Sequence, residues 1–293
     1  MKLSELWRSK SAPTISFEFF PAHDAKAEAN LAKAIDKLAE LRPDFVSTTF
    51  GAGGATRQGS LALAESLERA RGLEVLAYVA GYGLGPDDLA TVLDGYRDVG
   101  IENVLCVRGD VPRLDASFVP HPQSLPHASD LLAFARERYG FCLGAAGYPE
   151  GHVEAPSLEA DLGYLKLKVE HGAAFIISQY CYDNRLFLAF VERCRARGIE
   201  VPIIAGVMPI YNVKVMENLA KLCGATITAA VRSGLGALPE GDKDAVHDFG
   251  VRFAVEQCRE LLATGVRGLH FYTMDRSKSV LEIVAELRAI GAV

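Results

Sequence analysis

The 293-residue chain lacks any apolar run long enough to cross a bilayer: residues 201–210 are among the longest, against the roughly 20 that a spanning helix needs. Residues 1–10 carry charges throughout and hold no hydrophobic signal core, so the expected location is the cytoplasm. Basic residues do not cluster. With 37 acidic and 31 basic side chains interspersed and a net charge of −6, a nucleic-acid partner is not expected. Cysteine pairs are missing too: Cys106, Cys142, Cys181, Cys194, Cys223 and Cys258 are scattered, with no Cys-x-x-Cys. Reduced, mostly buried thiols are expected, and no metal site. His-Glu-x-x-His, a Walker A loop and a Gly-x-Ser-x-Gly elbow are absent. His152-Val153-Glu154 lacks the downstream Pro-Cys-x-x-Cys of a zinc deaminase.

What is present is a repeated βα rhythm. Short apolar or β-branched runs at 14–20, 45–50, 74–80, 103–107, 142–146, 175–180, 203–207 and 268–272 read as strands. Amphipathic stretches alternate with them at 25–41, 57–71, 86–99, 129–139, 157–171, 184–197, 213–222, 247–263 and 277–290. Gly72, Gly100, Gly140, Gly172, Gly198 and Gly265 each fall between a helix and a strand, where a left-handed cap is wanted. An unbroken series of this kind predicts an α/β protein, one (β/α)8 TIM barrel filling residues 1–293 as a single domain. Residues 111–127 and 224–244 read as irregular insertions. An open doubly wound sheet is the rival, but Gly51-Ala52-Gly53-Gly54 follows the second strand and lacks Gly-x-Gly-x-x-Gly spacing.

Barrel chemistry collects at the C-terminal ends of the strands. Polar residues hard to explain by structure fall there. Glu18 interrupts the apolar run 15–20; Thr48 and Thr49 close the second strand; Arg108-Gly109-Asp110 closes the fourth. Tyr148, Glu150 and His152 follow the fifth, Gln179 ends the sixth, and Tyr272 with Arg276 follow the eighth. Glu18 is either a core carboxylate tied to a Lys or Arg, or an acid whose pKa burial raises to suit proton donation. Arg108 and Asp110 make either a local salt bridge or part of a site. Gln179 either satisfies backbone groups or binds a ligand, and Tyr148 and Tyr272 are rim aromatics or ligand contacts.

Read in order, Ser16-Phe17-Glu18-Phe19-Phe20-Pro21, Phe45-Val46-Ser47-Thr48-Thr49-Phe50-Gly51-Ala52, Arg108-Gly109-Asp110 and Tyr148-Pro149-Glu150-Gly151-His152 resemble the methylenetetrahydrofolate reductase family. The resemblance continues through residues 161–168, Ser178-Gln179-Tyr180, Gly206-Val207-Met208-Pro209 and His270-Phe271-Tyr272-Thr273. It resembles the short bacterial form, the catalytic barrel alone. The resemblance implies flavin-dependent reduction of 5,10-methylenetetrahydrofolate to 5-methyltetrahydrofolate, a step of one-carbon metabolism and methionine biosynthesis. FAD would be the cofactor and NADH or NADPH the hydride donor, in a ping-pong order. Glu18 would be the general acid, with Asp110 near flavin and pterin. The folate would meet Glu18, Asp110, Gln179, Tyr272 and Arg276. The cofactor set would be Thr49, Tyr78, Arg108, Gly109, Asp110, His127, Ala128, Tyr148, His152, Asp161, Tyr164 and Lys168. Asp161 and Lys168, seven apart, share one helix face. Self-association of the chain is compatible with this reading.

The chain departs from the family pattern at several points. A histidine after the third strand is Tyr78, and a tyrosine before Ala128-Ser129-Asp130 is His127. An asparagine and an arginine on the cofactor helix are Tyr164 and Leu167, and a stacking phenylalanine is Val213. Losing that arginine removes a phosphate partner, which leaves open a flavin-independent reductase with direct hydride transfer from the nicotinamide. A barrel lyase or aldolase would need a lysine at a strand end, and none is predicted there. A folate- or flavin-binding barrel without catalysis is the non-enzymatic alternative.

Overall fold

The computed structural model describes the chain except residues 51–53 and 111–117, with the backbone alone at 54–57. Gly51, Ala52 and Gly53 of the glycine-rich turn and the first part of the 111–127 insertion therefore lie outside the described residues.

Eight parallel strands close in chain order: β1 (Thr14–Phe19), β2 (Phe45–Thr48), β3 (Val75–Ala80), β4 (Asn103–Val107), β5 (Cys142–Gly147), β6 (Phe175–Ser178), β7 (Ile203–Val207) and β8 (Gly268–Tyr272). β8 returns to β1, pairing Glu18 with Tyr272, while β2 pairs Glu18 with Ser47. The chain is thus a single (β/α)8 barrel. The helices are α1 (Leu3–Ser9), α2 (Ala25–Ala39), α3 (Gly54–Glu65), α4 (Pro86–Val99), α5 (Ala128–Arg138), α6 (Leu158–Glu170), α7 (Asn184–Ala196), α8 (Val213–Cys223), α9 (Ala229–Gly236), α10 (Lys243–Ala263) and α11 (Lys278–Ala289).

Local chemistry sets these boundaries. Asp24 caps α2 by accepting from the Ala27 amide at 2.7 Å, and Asn212 caps α8 through Val215. Pro86 opens α4, and Gly100 ends it at φ 97°, a conformation open to glycine. Five of the six predicted glycine caps have positive φ. Gly140 does not, because α5 ends in extended backbone at Tyr139. α10 begins four residues earlier than the pattern predicts, where Asp242 accepts from the Ala245 amide.

Two elements were not predicted. α1 lays Leu3, Leu6 and Trp7 into the N-terminal end of the barrel. The Trp7 indole meets Phe45 edge-on at 5.9 Å and Phe175 at 5.0 Å, and its N–H donates to Thr14 Oγ1. Each such buried side chain contributes about 1.5–3 kcal/mol. α9 lies inside the 224–244 insertion, capped by Thr228.

Residues alternate along each strand between this inner core and the larger shell of helix-facing apolar side chains. Five of the six free cysteines are buried, as expected. Among the described residues no helix is long and apolar enough to cross a membrane.

Candidate active site

The alternation that fills the barrel also delivers side chains to its C-terminal mouth. Glu18, Thr49, Tyr78, Asp110, Tyr148, Gln179 and Tyr272 line one cleft of about 390 Å³, with apolar walls from Leu105, Val107, Ala146 and Ile177. That volume is within the range of small-molecule sites.

Glu18 is 4% exposed. Burial pushes its carboxyl up to about 8, a hydrogen bond from Tyr78 pulls it down, and the neighbouring Asp275 carboxylate pushes it up. Among the described residues no ion pair involves it, so the reading as a core carboxylate held by Lys or Arg is not what the structure contains. Its backbone carbonyl accepts from Thr273 Oγ1 at 2.5 Å. Met274 and Asp275 follow with φ of 50° and 55°, two consecutive non-glycine residues in left-handed backbone at the rim. That turn lets Asp275 accept from the Phe20 amide at 3.0 Å. Tyr272 crosses the mouth to donate to the Ser178 carbonyl at 2.8 Å. Gly206 makes room for it, since a Cβ there would lie 2.7 Å from the Tyr272 ring.

The opposite side of the barrel, around β4, β5 and α6, mixes cations with carboxylates: Lys168 and Arg108 stand among Asp110, Glu154 and Asp161. The Lys168 amine donates to the Ala146 carbonyl at 2.7 Å and sits 5.6 Å from the Tyr148 ring centroid. Burial brings that amine down to about 8, with Asp161 opposing the change. Asp161 is buried, its carboxyl raised by desolvation and lowered by Lys168, so the two do share the inner face of α6. His152 meets Tyr148 edge-on at 4.8 Å, and burial followed by the Arg108 charge lowers its pKa. Arg108 is ion-paired with Glu154, so of the two readings of Arg108 and Asp110 the local bridge is not among the ion pairs of the described residues. Gly109, at φ 87°, packs so close to Ala80 that a Cβ would lie 2.8 Å away.

Not every predicted residue reaches the cleft. His127, the N-cap of α5, is exposed, its amide bonded to the Asp130 carboxylate, with Ala128 beginning the helix. Tyr164 is 54% exposed and Leu167 38%, both on the outer face of α6. Arg276 stacks on the Tyr211 ring at 4.5 Å outside the cleft wall. Val213 packs in the cluster around Met216 and Ile210, and α8 meets the cleft instead through Leu219 and Cys223. Those two, with Tyr180, Met208 and Met274, are cleft residues that sequence reasoning missed. The four-residue spacing of 219 and 223 on one helix face was the available signal.

A family model described as methylenetetrahydrofolate reductase matches residues 2–288. The chain is 36% identical to methylenetetrahydrofolate reductase (NADH) 1 of Arabidopsis thaliana over 94% of its own length, and it spans about half (48%) of that relative. It is 34% identical to 5,10-methylenetetrahydrofolate reductase of Escherichia coli, covering 90% of this chain and 87% of the other. Among solved structures, an uncharacterized Clostridium thermocellum protein that binds two copies of 5-methyl-5,6,7,8-tetrahydrofolic acid superposes with a TM-score of 0.64, at 15% identity over 98% of both chains. Oxaloacetate acetylhydrolase gives 0.55 at 11% identity, covering 98% of this chain and 85% of the other. Those two likenesses concern the fold alone. The family match over nearly the whole chain, together with the close bacterial relative, shows that this chain belongs to the methylenetetrahydrofolate reductase family.

Proposed function

We propose that the chain reduces 5,10-methylenetetrahydrofolate to 5-methyltetrahydrofolate with NADH or NADPH, and that Glu18 is the general acid. The observation that carries this is a buried carboxyl at the cleft wall whose pKa stands at about 8. At neutral pH such an acid holds a proton that it can give up. It would protonate the departing ring nitrogen as the five-membered ring of the folate opens. The resulting iminium carbon then accepts a hydride, and Glu18 is left as carboxylate until a solvent proton restores it. Asp110 and Gln179 line the same cleft and would orient the pterin, with Tyr272 closing the wall beside Glu18.

The residues present fit a flavin. Leu105, Val107, Ala146 and Ile177 give apolar walls, Thr49, Asp110 and Gln179 supply polar groups among them, and Lys168 and Arg108 add cations beyond the β4–β5 side, with the His152 imidazole, its pKa lowered by burial, against Tyr148. Thr49, Tyr78, Arg108, Gly109, Asp110, Tyr148, His152, Asp161 and Lys168 would hold it, with the exposed His127, Ala128 and Tyr164 at the periphery. Bound there, FAD would carry hydride between nicotinamide and folate in a ping-pong order. One observation favours a second reading: Leu167 and Tyr164 face outward and offer no phosphate contact. Under it the nicotinamide gives its hydride directly to the folate.

The test is the visible spectrum of freshly purified protein together with methylenetetrahydrofolate reduction before and after added FAD. A yellow protein, or activity that rises with FAD, supports the flavin reading. Full activity in a colourless protein, unmoved by FAD, selects direct transfer. No folate reduction with either nicotinamide, with and without FAD, overturns the function.

A further inference from the structure

The helix that follows β7 does not take a place in the outer ring of the barrel. That place, between α7 and α11, is filled by α10, which packs on both and on β7. α8 and α9 lie in the excursion between β7 and α10. Met216, Leu219, Ala220 and Cys223 fall on one face of α8, at spacings of three and four. Leu219 and Cys223 line the cleft. Met216 and Ala220 are buried in an apolar cluster with Tyr180, Tyr182, Met208 and Ile210. α8 is therefore a wall of the cleft. Among the described residues it shares no broad packing with any helix of the outer ring.

A polar hold on that wall comes from the turn after β5. The turn is braced by Arg193 of α7, whose guanidinium donates to the Pro149 carbonyl at 3.1 Å. The Gly151 amide closes it on the Tyr148 carbonyl at 3.0 Å. From this base the Glu150 carboxylate accepts from the Thr226 amide, at 3.0 Å to Oε1 and 3.2 Å to Oε2. Thr226 lies in the turn that joins α8 to α9. Two positions before it, Gly224 ends α8 at φ 73°, and a Cβ there would lie 2.7 Å from the Val153 side chain. Glu150 itself does not line the cleft.

We propose that Glu150 is a positioning residue, a clasp that holds α8 shut on the cleft and so sets how long a folate guest is retained. This rests on the reading of the cleft as the folate site. The apolar face of α8 favours the shut position through the burial of Met216 and Ala220. Two groups oppose it. The Tyr180 and Tyr182 hydroxyls are buried in the cluster that α8 covers, with no hydrogen-bond partner among the described residues. Shutting α8 strips them of water without supplying a partner, and lifting it restores their hydration. With those terms offsetting one another, a polar link at the end of α8 weighs in the balance between shut and open. In a ping-pong order the nicotinamide must leave before the folate enters, so the wall has to move within each turnover. Glu150 acts on the guest through α8 and touches no reacting atom.

The experiment pairs amide hydrogen exchange with surface plasmon resonance on the purified chain. In Glu150→Ala the amides of residues 213–228 should exchange faster, while those of the barrel strands keep their rate. Release of 5-methyltetrahydrofolate from the immobilised chain should quicken by roughly threefold to tenfold, the size expected for losing one hydrogen bond. Glu150→Gln keeps an acceptor oxygen and should recover most of the parent's retention. An unchanged release rate in Glu150→Ala overturns the proposal. Faster exchange spread through the whole barrel would mark a merely structural role and also overturns it. If that variant does not fold, the parent decides: exchange in residues 213–228 that 5-methyltetrahydrofolate fails to slow overturns the clasp. Failure of the folate reading is distinguishable: the parent would then bind no 5-methyltetrahydrofolate, yet Glu150→Ala would still loosen residues 213–228.

Discussion

Arg108 pairs with Glu154, 46 positions further along the chain, and not with Asp110 two positions away. The pairing leaves the Asp110 charge to act on whatever occupies the cleft. Asp110→Asn should therefore ease electron acceptance by a bound flavin, since a negative neighbour disfavours added negative charge. Nicotinamide oxidation with a quinone acceptor should be kept or rise, while folate reduction falls. A higher flavin reduction potential in the variant, measured by dye equilibration, checks the electrostatic cause.

Glu18→Gln preserves shape and removes the transferable proton. Folate reduction should fall by about 10²–10⁴-fold, the usual contribution of a positioned general acid. Nicotinamide oxidation with a quinone should stay within a few fold. Stopped-flow measurement of the two half-reactions separates them, and equal slowing of both in flavin-loaded protein would make Glu18 a structural carboxylate.

The same carboxyl makes stability depend on pH. Its folded pKa of about 8 lies above the ordinary 4.5, so the folded state binds more protons across that interval. Glu18's contribution is thus fully present below about pH 4.5, declines as pH rises, and is gone above about 8. Glu18→Gln escapes that loss. In urea titrations the stability of the variant relative to the parent should climb by a few kcal/mol between pH 5 and about pH 8.

Lys168→Met keeps the length of the side chain and removes the cation bonded to the Ala146 carbonyl. FAD affinity should drop by about tenfold or more, as expected for losing one charged hydrogen bond. Quenching of flavin fluorescence on titration with protein gives the number. Unchanged affinity would place the phosphates elsewhere.

Trp7→Ala empties the space under the barrel floor between Phe45 and Phe175. A loss of about 3–5 kcal/mol is expected in chemical denaturation. Folate binding should be unaffected, because Trp7 lies at the end of the barrel opposite the cleft.

How much could be read beforehand varied with the physics involved. Glu18, Asp110 and Gln179 were legible because a strand's period of two and the barrel rule together fix which end and which side a residue faces. α1 was not. Its charges at Lys2, Glu5, Arg8 and Lys10 hid the Leu3, Leu6 and Trp7 stripe, which is helical in spacing but too short to stand out. α9 was obscured by a Gly- and Ala-rich composition. Tyr164 was assigned to the cofactor by position in a motif, and it sits on the solvent face of α6, three positions from Leu167. The Ser16–His270–Ser47 contacts join three strands and have no local signature at all.

The distribution of charge around the mouth has one more consequence. Glu18 and Asp275 stand at β1 and in the turn after β8, and across the opening Lys168 and Arg108 each stand beside a carboxylate, Asp161 and Glu154. The cations near the mouth are thus largely balanced within their own side of the barrel, and the acid at β1 is neutral at neutral pH. Capture of a charged guest should therefore depend little on added salt, because closely paired charges cancel at distances beyond a Debye length.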